Sequence, residues 1–374
     1  MPSLAPDDAF GADLYRALGG SGNLVFSPGN IATALRMALL GARGETAAQL
    51  AAVVHLAKPQ DAEGGLLATS ALLGSLAGDD LTLRAPNTMW AQSGLPVQPD
   101  FTAALAQAAS AQLRTADFAH AAEQARQEIN ELITEQTAGK ITGLIGPGGV
   151  TARTRLVLAS AIYLKAAWVT PFPAAATADA PFHPAPGRDV PVPTMRLRAR
   201  LRYLRGDGYQ VAELPYTGGR LGMAIVLPDG PLPPAEGRLA SGGLGGLLAG
   251  LAPHQVSLAL PRFRVTGEFS LRPVLSTLGM PLAFGHRADF TGITTAEPLH
   301  VDDVLHKAYI DVDEQGTEAA AATAVTIRAA ARVVRPDPPV EMIVDRPFLF
   351  AITDTGSGLP LFLGRVTDPG RELA

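Results

Sequence analysis

The sequence contains no cysteine, and only four of its 374 residues are lysine. A chain without cysteine forms no disulfide, has no thiol nucleophile and offers no thiolate to a metal ion. Its positive charge is almost entirely arginine. Together with the many alanines, glycines and prolines, this bias leads us to expect a prokaryotic source with a GC-rich genome.

Charge of either sign is scarce, and long apolar runs are missing. Charged residues make up 17% of the chain and the net charge is −5, which argues against nucleic acid as a partner. No run of 18 or more apolar residues occurs, so we expect no membrane-spanning helix and no membrane partner. The first eight residues lack the basic region and apolar run of a signal peptide. We therefore expect a cytoplasmic location if Met1 is the native start, with secretion as the alternative.

Motifs of common enzymes are missing as well. The tetrapeptide Asp354-Thr355-Gly356-Ser357 matches the catalytic loop of aspartic proteases. Those enzymes need two such carboxylates that share a proton, and the chain has no second Asp-Thr-Gly, so we predict a hairpin turn there. It has neither Gly-x-Ser-x-Gly nor His-Glu-x-x-His, and its seven histidines lack metal-ligand spacing. We expect a protein that is not an enzyme and uses no cofactor.

Apolar residues are abundant, at 47%, and they suffice for a large core. Helical apolar spacing dominates early and strand-like runs dominate late, so we predict an α+β fold in a single domain over residues 1–374. The predicted helices cover 7–18, 28–41, 63–76 and 121–136, with shorter ones from Thr46 and over 101–107. The predicted strands cover 81–91, 156–164, parts of 192–227, 340–345, 347–354 and 360–366. The stretch 228–253 is rich in glycine and proline, which is typical of a linker.

The most informative segment, residues 313–327, is Asp-Glu-Gln-Gly-Thr-Glu-Ala-Ala-Ala-Ala-Thr-Ala-Val-Thr-Ile. A loop that must become a central strand needs a flexible pivot, free backbone N–H groups and small side chains on the face that enters the core. Gly316 supplies the pivot, and the next proline is Pro336. Side chains alternate along a strand, so one face would carry only small residues: Thr317, Ala319, Ala321 and Thr323.

A surface helix is the competing interpretation of the alanine run, because alanine is the best helix former. Residues 318–324, however, have no apolar stripe that would hold a helix against the protein. β-Branched residues follow at 325–327. A segment with so little local preference suits a loop that changes state.

This segment resembles the mobile hinge of the serpins, which trap a protease by inserting their own cleaved loop into a β-sheet. The resemblance extends over roughly residues 8–369 and implies a serpin fold, with three β-sheets, eight or nine helices and an exposed reactive-centre loop at about 316–339. Further blocks occur in the order of that family: Asn23-Leu24-Val25-Phe26-Ser27-Pro28, Asn87-Thr88-Met89-Trp90, the pattern Thr137, Gly139, Lys140 and Ile141, Tyr163-Leu164-Lys165 with Trp168, His306-Lys307-Ala308, Arg346-Pro347-Phe348, and Gly364-Arg365-Val366.

Three groups of site residues follow from the resemblance. The hinge comprises Glu314, Gly316, Thr317, Ala319, Ala320, Ala321, Ala322 and Thr323. The breach, where insertion begins, comprises Trp168, Arg262 and Glu314. The shutter, a polar group beneath the centre of the main sheet, comprises Ser27, Asn30, Ser160 and His306.

The shutter departs from the family pattern, which usually has serine where Asn30 stands and asparagine where Ser160 stands. An exchange of this kind keeps the number of donors and acceptors similar, so we expect a working hydrogen-bond network. The plainer interpretations are a satisfied core histidine at His306 and, at the breach, a surface ion pair contributing about 0–1 kcal/mol.

The resemblance also implies suicide inhibition of a serine protease, which forms an acyl-enzyme with the loop and is carried along as the freed hinge inserts. Counting at the family's spacing from Glu314 puts the scissile bond at Ala330–Ala331, which suits elastase-like or subtilisin-like proteases. A cut after Arg328 or Arg332 would instead suit trypsin-like enzymes. A non-inhibitory binding or chaperone protein is the other alternative, and the small residues Ala319–Ala322 argue against it. We expect a monomer that can also polymerise through its loop.

Overall fold

A computed structural model describes residues 5–76, 81–108, 111–318 and 338–371 of the chain. These ranges contain eight α-helices and sixteen β-strands. The helices are α1 (Ala5–Leu18), α2 (Pro28–Gly41), α3 (Gly44–Val53), α4 (Asp61–Leu76), α5 (Pro99–Ala106), α6 (Phe118–Gln136), α7 (Pro233–Leu248) and α8 (Arg272–Leu278). The strands are β1 (Leu24–Phe26), β2 (Leu81–Arg84), β3 (Asn87–Gln92), β4 (Ala111–Ala116), β5 (Leu156–Ala167), β6 (Ala178–Ala185), β7 (Arg188–Arg205), β8 (Tyr209–Pro215), β9 (Leu221–Pro228), β10 (Ala252–Pro261), β11 (Phe263–Ser270), β12 (Asp303–Val312), β13 (Gly316–Thr317), β14 (Val340–Ile343), β15 (Phe348–Asp354) and β16 (Pro360–Val366).

Helix α2 begins where the sequence predicts it, for local reasons. The hydroxyl of Ser27 accepts a hydrogen bond from the N–H of Asn30 at 3.2 Å, which satisfies one of the free donors of the first turn. Pro28 occupies the first helical position, where a missing N–H costs nothing. The helix is almost completely buried, so its first turn can present Asn30 to the interior.

Seven strands form a central sheet in the order β11-β12-β13-β5-β3-β4, with β2 also paired to β5. Helix α6 covers one face, where Ile129 and Ile133 join a core with Val157 and Ala159 of β5. The other face packs against a second sheet, ordered β1-β16-β15-β9-β8-β7-β10-β14 with β6 paired to β7. Strand β5 is therefore covered on both sides, as its nearly continuous apolar sequence predicts.

The predicted α+β class is confirmed. The three sheets implied by the resemblance are joined into two hydrogen-bonded systems, because β7 is 18 residues long. Its first part pairs with β6, its middle with β10, and its last four residues, Arg202 to Arg205, with β8. One continuous strand thus connects what would otherwise be separate sheets.

The prediction of a linker at 228–253 is wrong, because α7 lies there. The helix is interrupted at Gly243, whose φ of 66° is in the left-handed region that favours glycine. The carboxylate of Asp8 in α1 accepts hydrogen bonds from the N–H groups of Leu244 (2.7 Å) and Gly245 (3.0 Å) and so caps the second part of the helix. The cap comes from the opposite end of the chain, so no local pattern reveals it.

The predicted hairpin turn after Asp354 is confirmed. Strand β15 ends at Asp354, whose Oδ2 accepts hydrogen bonds from the N–H (2.8 Å) and the hydroxyl (2.6 Å) of Ser357. The N–H of Gly358 donates to the carbonyl oxygen of Asp354 at 2.7 Å. The carboxylate therefore holds the turn into β16.

Candidate functional site

The candidate site is the line along which β5 and β12 meet in the central sheet, which we name the seam. Over most of its length the strands are direct neighbours in parallel register, from Asp303 opposite Val157 to Tyr309 opposite Tyr163. Beyond Tyr309 the strands separate and β13 lies between them. The seam is therefore closed in its middle and lower parts and holds the start of the predicted hinge at its upper end.

The hinge enters the seam through Gly316 and Thr317. They lie opposite Ala167 and Ala166 of β5 in antiparallel register, and Thr317 also pairs with β12. A Cβ at position 316 would overlap the carbonyl oxygen of Ala166, so this close approach requires glycine. The side chain of Thr317 is completely buried, and its hydroxyl lies 2.6 Å from that of Tyr216.

A tight turn leads from β12 into β13. The carboxylate of Asp313 accepts hydrogen bonds from the N–H groups of Gln315 (2.8 Å) and Gly316 (3.2 Å). The N–H of Asp313 donates to the carbonyl oxygen of Gly316 at 3.0 Å. The turn reverses the chain direction, so the hinge runs antiparallel to both strands that flank it.

Glu314, at the tip of this turn, forms the predicted ion pair with Arg262. Its Oε1 accepts hydrogen bonds from Nη2 (2.6 Å) and Nε (2.9 Å) of Arg262 and from the hydroxyl of Thr177 (2.5 Å). Burial alone would raise the pKa of Glu314, but the hydrogen bonds from Arg262 and Thr177 outweigh it and lower that pKa. The side chain of Glu314 is 6% exposed and that of Arg262 is 47% exposed, so solvent screens one side of the pair.

Trp168 holds the backbone on either side of Glu314. Its indole Nε1 donates to the carbonyl oxygen of Asp313 at 3.0 Å, and its backbone N–H donates to that of Gln315 at 2.8 Å. Its ring stacks on Tyr216 with 4.4 Å between centroids and 20° between planes. The three predicted breach residues therefore surround the turn that begins the hinge.

Glu318, just after β13, is a further contact residue that the sequence analysis missed. Its φ is 50°, and its N–H donates to the carbonyl oxygen of Asp311 at 2.9 Å. Its carboxylate forms an ion pair with Lys140, after α6. The family pattern over residues 137–141 includes Lys140, but nothing in the local sequence identifies Glu318 as the partner of Lys140.

The shutter residues lie together beneath the closed part of the seam. His306 of β12 is opposite Ser160 of β5, and its Nδ1 lies 3.1 Å from the hydroxyl oxygen of Ser160. The N–H of Ser27 donates to Nε2 of His306 at 3.0 Å. The side-chain amide of Asn30 donates to the Ser160 hydroxyl (2.9 Å) and to the carbonyl oxygen of Ala161 (2.7 Å). All four predicted side chains are buried and belong to one network.

This network defines the protonation state of His306. Its Nε2 accepts from a backbone N–H, so the proton of the neutral ring is assigned to Nδ1, which donates to Ser160. In the charged ring, a second proton on Nε2 would face the N–H of Ser27. Burial lowers the pKa of His306 to about 3, so the ring is neutral near physiological pH.

Asn87 of β3 extends the network, and the sequence analysis missed this role. It lies opposite Ser160 in antiparallel register, and its Nδ2 donates to Oδ1 of Asn30 at 2.5 Å. Its sequence block was recognised only as a strand. The two asparagines are 57 positions apart, so only the sheet register brings them together.

The remaining predicted site residues lie outside the described residues: Ala319, Ala320, Ala321, Ala322, Thr323, Arg328, Ala330, Ala331 and Arg332. Within the described ranges, no three histidine, aspartate or glutamate side chains come close enough to hold a metal ion. No helix in the same ranges has the length and apolar character needed to cross a membrane.

Comparisons with known proteins agree with this geometry. A sequence profile of the family described as "Serpin (serine protease inhibitor)" matches residues 6–369. An uncharacterized serpin-like protein of Thermococcus kodakarensis is 40% identical over 98% of this chain and 86% of its own length. The leukocyte elastase inhibitor of Sus scrofa is 36% identical over 98% of this chain and 99% of its own length. The crystal structure of a highly specific serpin from the insect Tenebrio molitor has a TM-score of 0.86 and 31% identity, covering 98% of this chain and 97% of that one.

Proposed function

The chain belongs to the serpin family of serine protease inhibitors, and we propose that it acts as a suicide substrate that inserts its cleaved loop into the seam. The family is described by protease inhibition and not by catalysis. The protease supplies the catalytic serine and forms the acyl-enzyme with the loop. The inhibitor supplies the insertion that moves the protease away before deacylation.

The position of β13 is the observation that carries the proposal. Gly316 and Thr317 already lie between β5 and β12, in antiparallel register with β5. If this register continued after cleavage, each following residue would meet the next residue of β5, until Ile327 reached Leu156. Insertion would replace the parallel β5–β12 pairing with two antiparallel pairings, which are slightly more stable per residue.

The hinge side chains suit this path. Thr317 faces the core against Tyr216, so every second residue after it would also face inward. Ala319, Ala321 and Thr323 occupy those positions. Each is small enough for an interior that tolerates little added volume.

Thr323 would meet Ser160 in the same register, at the centre of the shutter. Separating the strands breaks the 3.1 Å contact between Ser160 and His306 and leaves buried polar groups without a partner. A threonine hydroxyl can both donate and accept. We propose that Thr323 restores hydrogen bonding there once the loop is inserted.

The proposed scissile bond is Ala330–Ala331, and the proposed target is an elastase-like or subtilisin-like protease. A cut there would free about 14 residues from Thr317 onward, which span roughly 46 Å at about 3.3 Å per residue. The named activity of the Sus scrofa relative, leukocyte elastase inhibition, supports the same class of target.

Incubation with elastase, subtilisin and trypsin tests the proposal. We expect a covalent complex that survives SDS gel electrophoresis with at least one of the first two proteases. Mass spectrometry of the released peptide should then place the cut after Ala330. A complex with trypsin and a cut after Arg328 or Arg332 would change the target class but keep the mechanism. Complete cleavage without complex by all three would contradict suicide inhibition of these classes and favour a non-inhibitory binding protein.

A further inference from the structure

Glu318 ends the inserted part of the hinge with a backbone that a strand cannot continue. Its φ of 50° is in the left-handed region, which is unfavourable for a residue with a side chain. An antiparallel strand needs a φ of about −140°. Strand β13 therefore ends at Thr317, although the N–H of Glu318 still donates to the carbonyl oxygen of Asp311 at 2.9 Å. The hinge can enter the seam one residue further only if Glu318 changes its backbone conformation.

Lys140 holds the side chain of Glu318 in this bend. Their ion pair is partly shielded from water, since the side chain of Glu318 is 16% exposed and that of Lys140 is 42% exposed. Burial raises the pKa of Tyr163 and of Tyr309, and the nearby Glu318 carboxylate raises both further. These two tyrosines are direct neighbours in the last β5–β12 pair before β13. The ion pair thus lies where the seam begins to close.

Lys165 of β5 is a second cation available to this carboxylate. In the register that pairs Thr317 with Ala166, residue 318 comes opposite Lys165. Thr317 faces the core, so Glu318 in a strand would face the other side of the sheet. Lys165 faces that side too, two residues after Tyr163 of the core under α6. It is half-buried, and its ammonium group has no hydrogen bond or ion pair with any residue that the structure describes. Opposite charges directly across two strands stabilise each other.

We propose that Glu318 is a positioning residue for the hinge and acts by exchanging one lysine for another. In the intact protein, the ion pair with Lys140 and the bend hold the hinge at a depth of two residues. When insertion extends β13 by one residue, Glu318 leaves Lys140 and pairs with Lys165. Lys140 therefore delays insertion, and Lys165 promotes it. Because this exchange belongs to loop insertion, it rests on the proposed function.

The presence of lysine at both positions fits an exchange of partners. The chain has only four lysines, and two of them are Lys140 and Lys165. Lysine presents a single charge on a flexible stem, whereas arginine presents a rigid fork of donors. At the breach, Arg262 donates to Glu314 through two nitrogens in this way. A pair made through one ammonium group is released more readily, as the exchange requires.

Guanidinium denaturation of the intact protein and of protein with a cleaved loop tests the exchange without measuring inhibition. In the intact protein, Glu318→Gln should lower the denaturation midpoint, and this shift should disappear when Lys140→Gln is already present. In the cleaved protein, the shift should disappear with Lys165→Gln instead. If cleavage leaves the midpoint of the unmodified protein unchanged, the loop does not insert, and the proposed function fails together with the exchange. A midpoint that rises on cleavage without any dependence on Lys165 overturns the exchange alone.

The ratio of covalent complex to cleaved inhibitor on SDS gels is the second readout. Lys140→Gln should raise this ratio about threefold and Lys165→Gln should lower it about threefold, the size expected for partly exposed ion pairs. Lys58→Gln, at an exposed position between α3 and α4, is the control and should leave the ratio unchanged. Lys140→Glu combined with Glu318→Lys restores the first pair but puts like charges at 318 and 165, so it should give the lowest ratio. Changes of the same sign in Lys140→Gln and Lys165→Gln would overturn the opposed roles of the two lysines.

Discussion

The upper end and the middle of the seam hold the same two strands by different means. At the breach the strands are already apart, the predicted hinge lies between them, and Glu314 forms an ion pair whose arginine is 47% exposed. At the shutter the strands are paired directly, and every group of the network is buried. The contacts at the upper end thus reach solvent through Arg262, whereas the network in the middle is entirely buried.

Under the proposed mechanism, the difference indicates where insertion would start and where it would be resisted. A half-exposed ion pair exchanges partners with water at little cost. A buried neutral network can open only if each donor and acceptor finds a new partner, because an unpaired buried group is costly. Under the proposed mechanism, the breach is thus suited to admit the hinge, and the shutter is suited to delay insertion until cleavage frees the rest of the loop.

Thr317→Arg should produce the largest effect, because it puts a charge into the buried position where the hinge enters. Burying an unpaired charge is very unfavourable, so we expect the loop to be cleaved without being inserted. The ratio of cleaved inhibitor to covalent complex on SDS gels should rise roughly tenfold or more. Thr317→Ser keeps the hydroxyl near Tyr216 and is the matched control. Inhibition as efficient as that of the unmodified protein would contradict the role of Thr317.

His306→Ala should be the next most damaging change, because it removes the partner of both Ser27 and Ser160. Two buried groups then lose a hydrogen bond and a cavity remains, which should lower the free energy of unfolding by about 2–4 kcal/mol. Urea denaturation followed by circular dichroism measures the loss. His183→Ala, at a side chain that is 44% exposed, is the control, with an expected change within about 0.5 kcal/mol. Equal losses of unfolding free energy in the two variants would show that the shutter stabilises the protein no more than an exposed histidine does.

As the pH falls, the stabilising contribution of the shutter should decrease before that of the breach. The pKa of His306 is about 3 in the folded protein against 6.5 ordinarily. Below pH 6.5 the unfolded chain therefore binds a proton that the folded protein excludes, and stability falls with pH until about 3, by up to about 1.4 kcal/mol per pH unit. The pKa of Glu314 is lowered from 4.5, so its contribution, complete above that value, is lost only as the pH falls further.

Denaturation at intervals from pH 7 to pH 4 checks this order. Between pH 6.5 and 4.5 the slope of stability against pH should be smaller in His306→Ala than in the unmodified protein. Over that interval Glu314→Gln should leave the slope unchanged. Parallel curves for all three proteins would show that His306 does not titrate with unfolding in the expected window.

Arg262→Ala should have the smallest effect on stability. Its partner Glu314 keeps the hydrogen bond from Thr177, and the arginine is half-exposed, so we expect a loss of about 1 kcal/mol or less. Arg264→Ala on the neighbouring strand β11, whose ion pair with Asp311 is 51% exposed at the arginine, is the control. A loss of several kcal/mol in Arg262→Ala alone would show that the breach is held as firmly as the shutter.

Several elements and site residues could be predicted because their signals are local. Ser27-Pro28 predicts the cap and the first turn of α2, and the apolar run over residues 156–164 predicts β5. The position of the hinge is encoded by Gly316 and the small residues after it. The stretch that became α7 was misjudged because its decisive cap, Asp8, lies on α1. Asn87 and Glu318 were missed because their partners, Asn30 and Lys140, are distant in the chain.

The sequence by itself determined the α+β class and the family resemblance, and it located the predicted hinge, because composition, periodicity and the freedom of glycine act over a few neighbouring residues. Only the tertiary structure decided how far the seam is open and which buried groups hold it closed. Those features depend on the register of β5 with β12, β13 and β3. That register is set by packing between segments more than sixty residues apart, and a shift of one residue would turn every side chain to the opposite face.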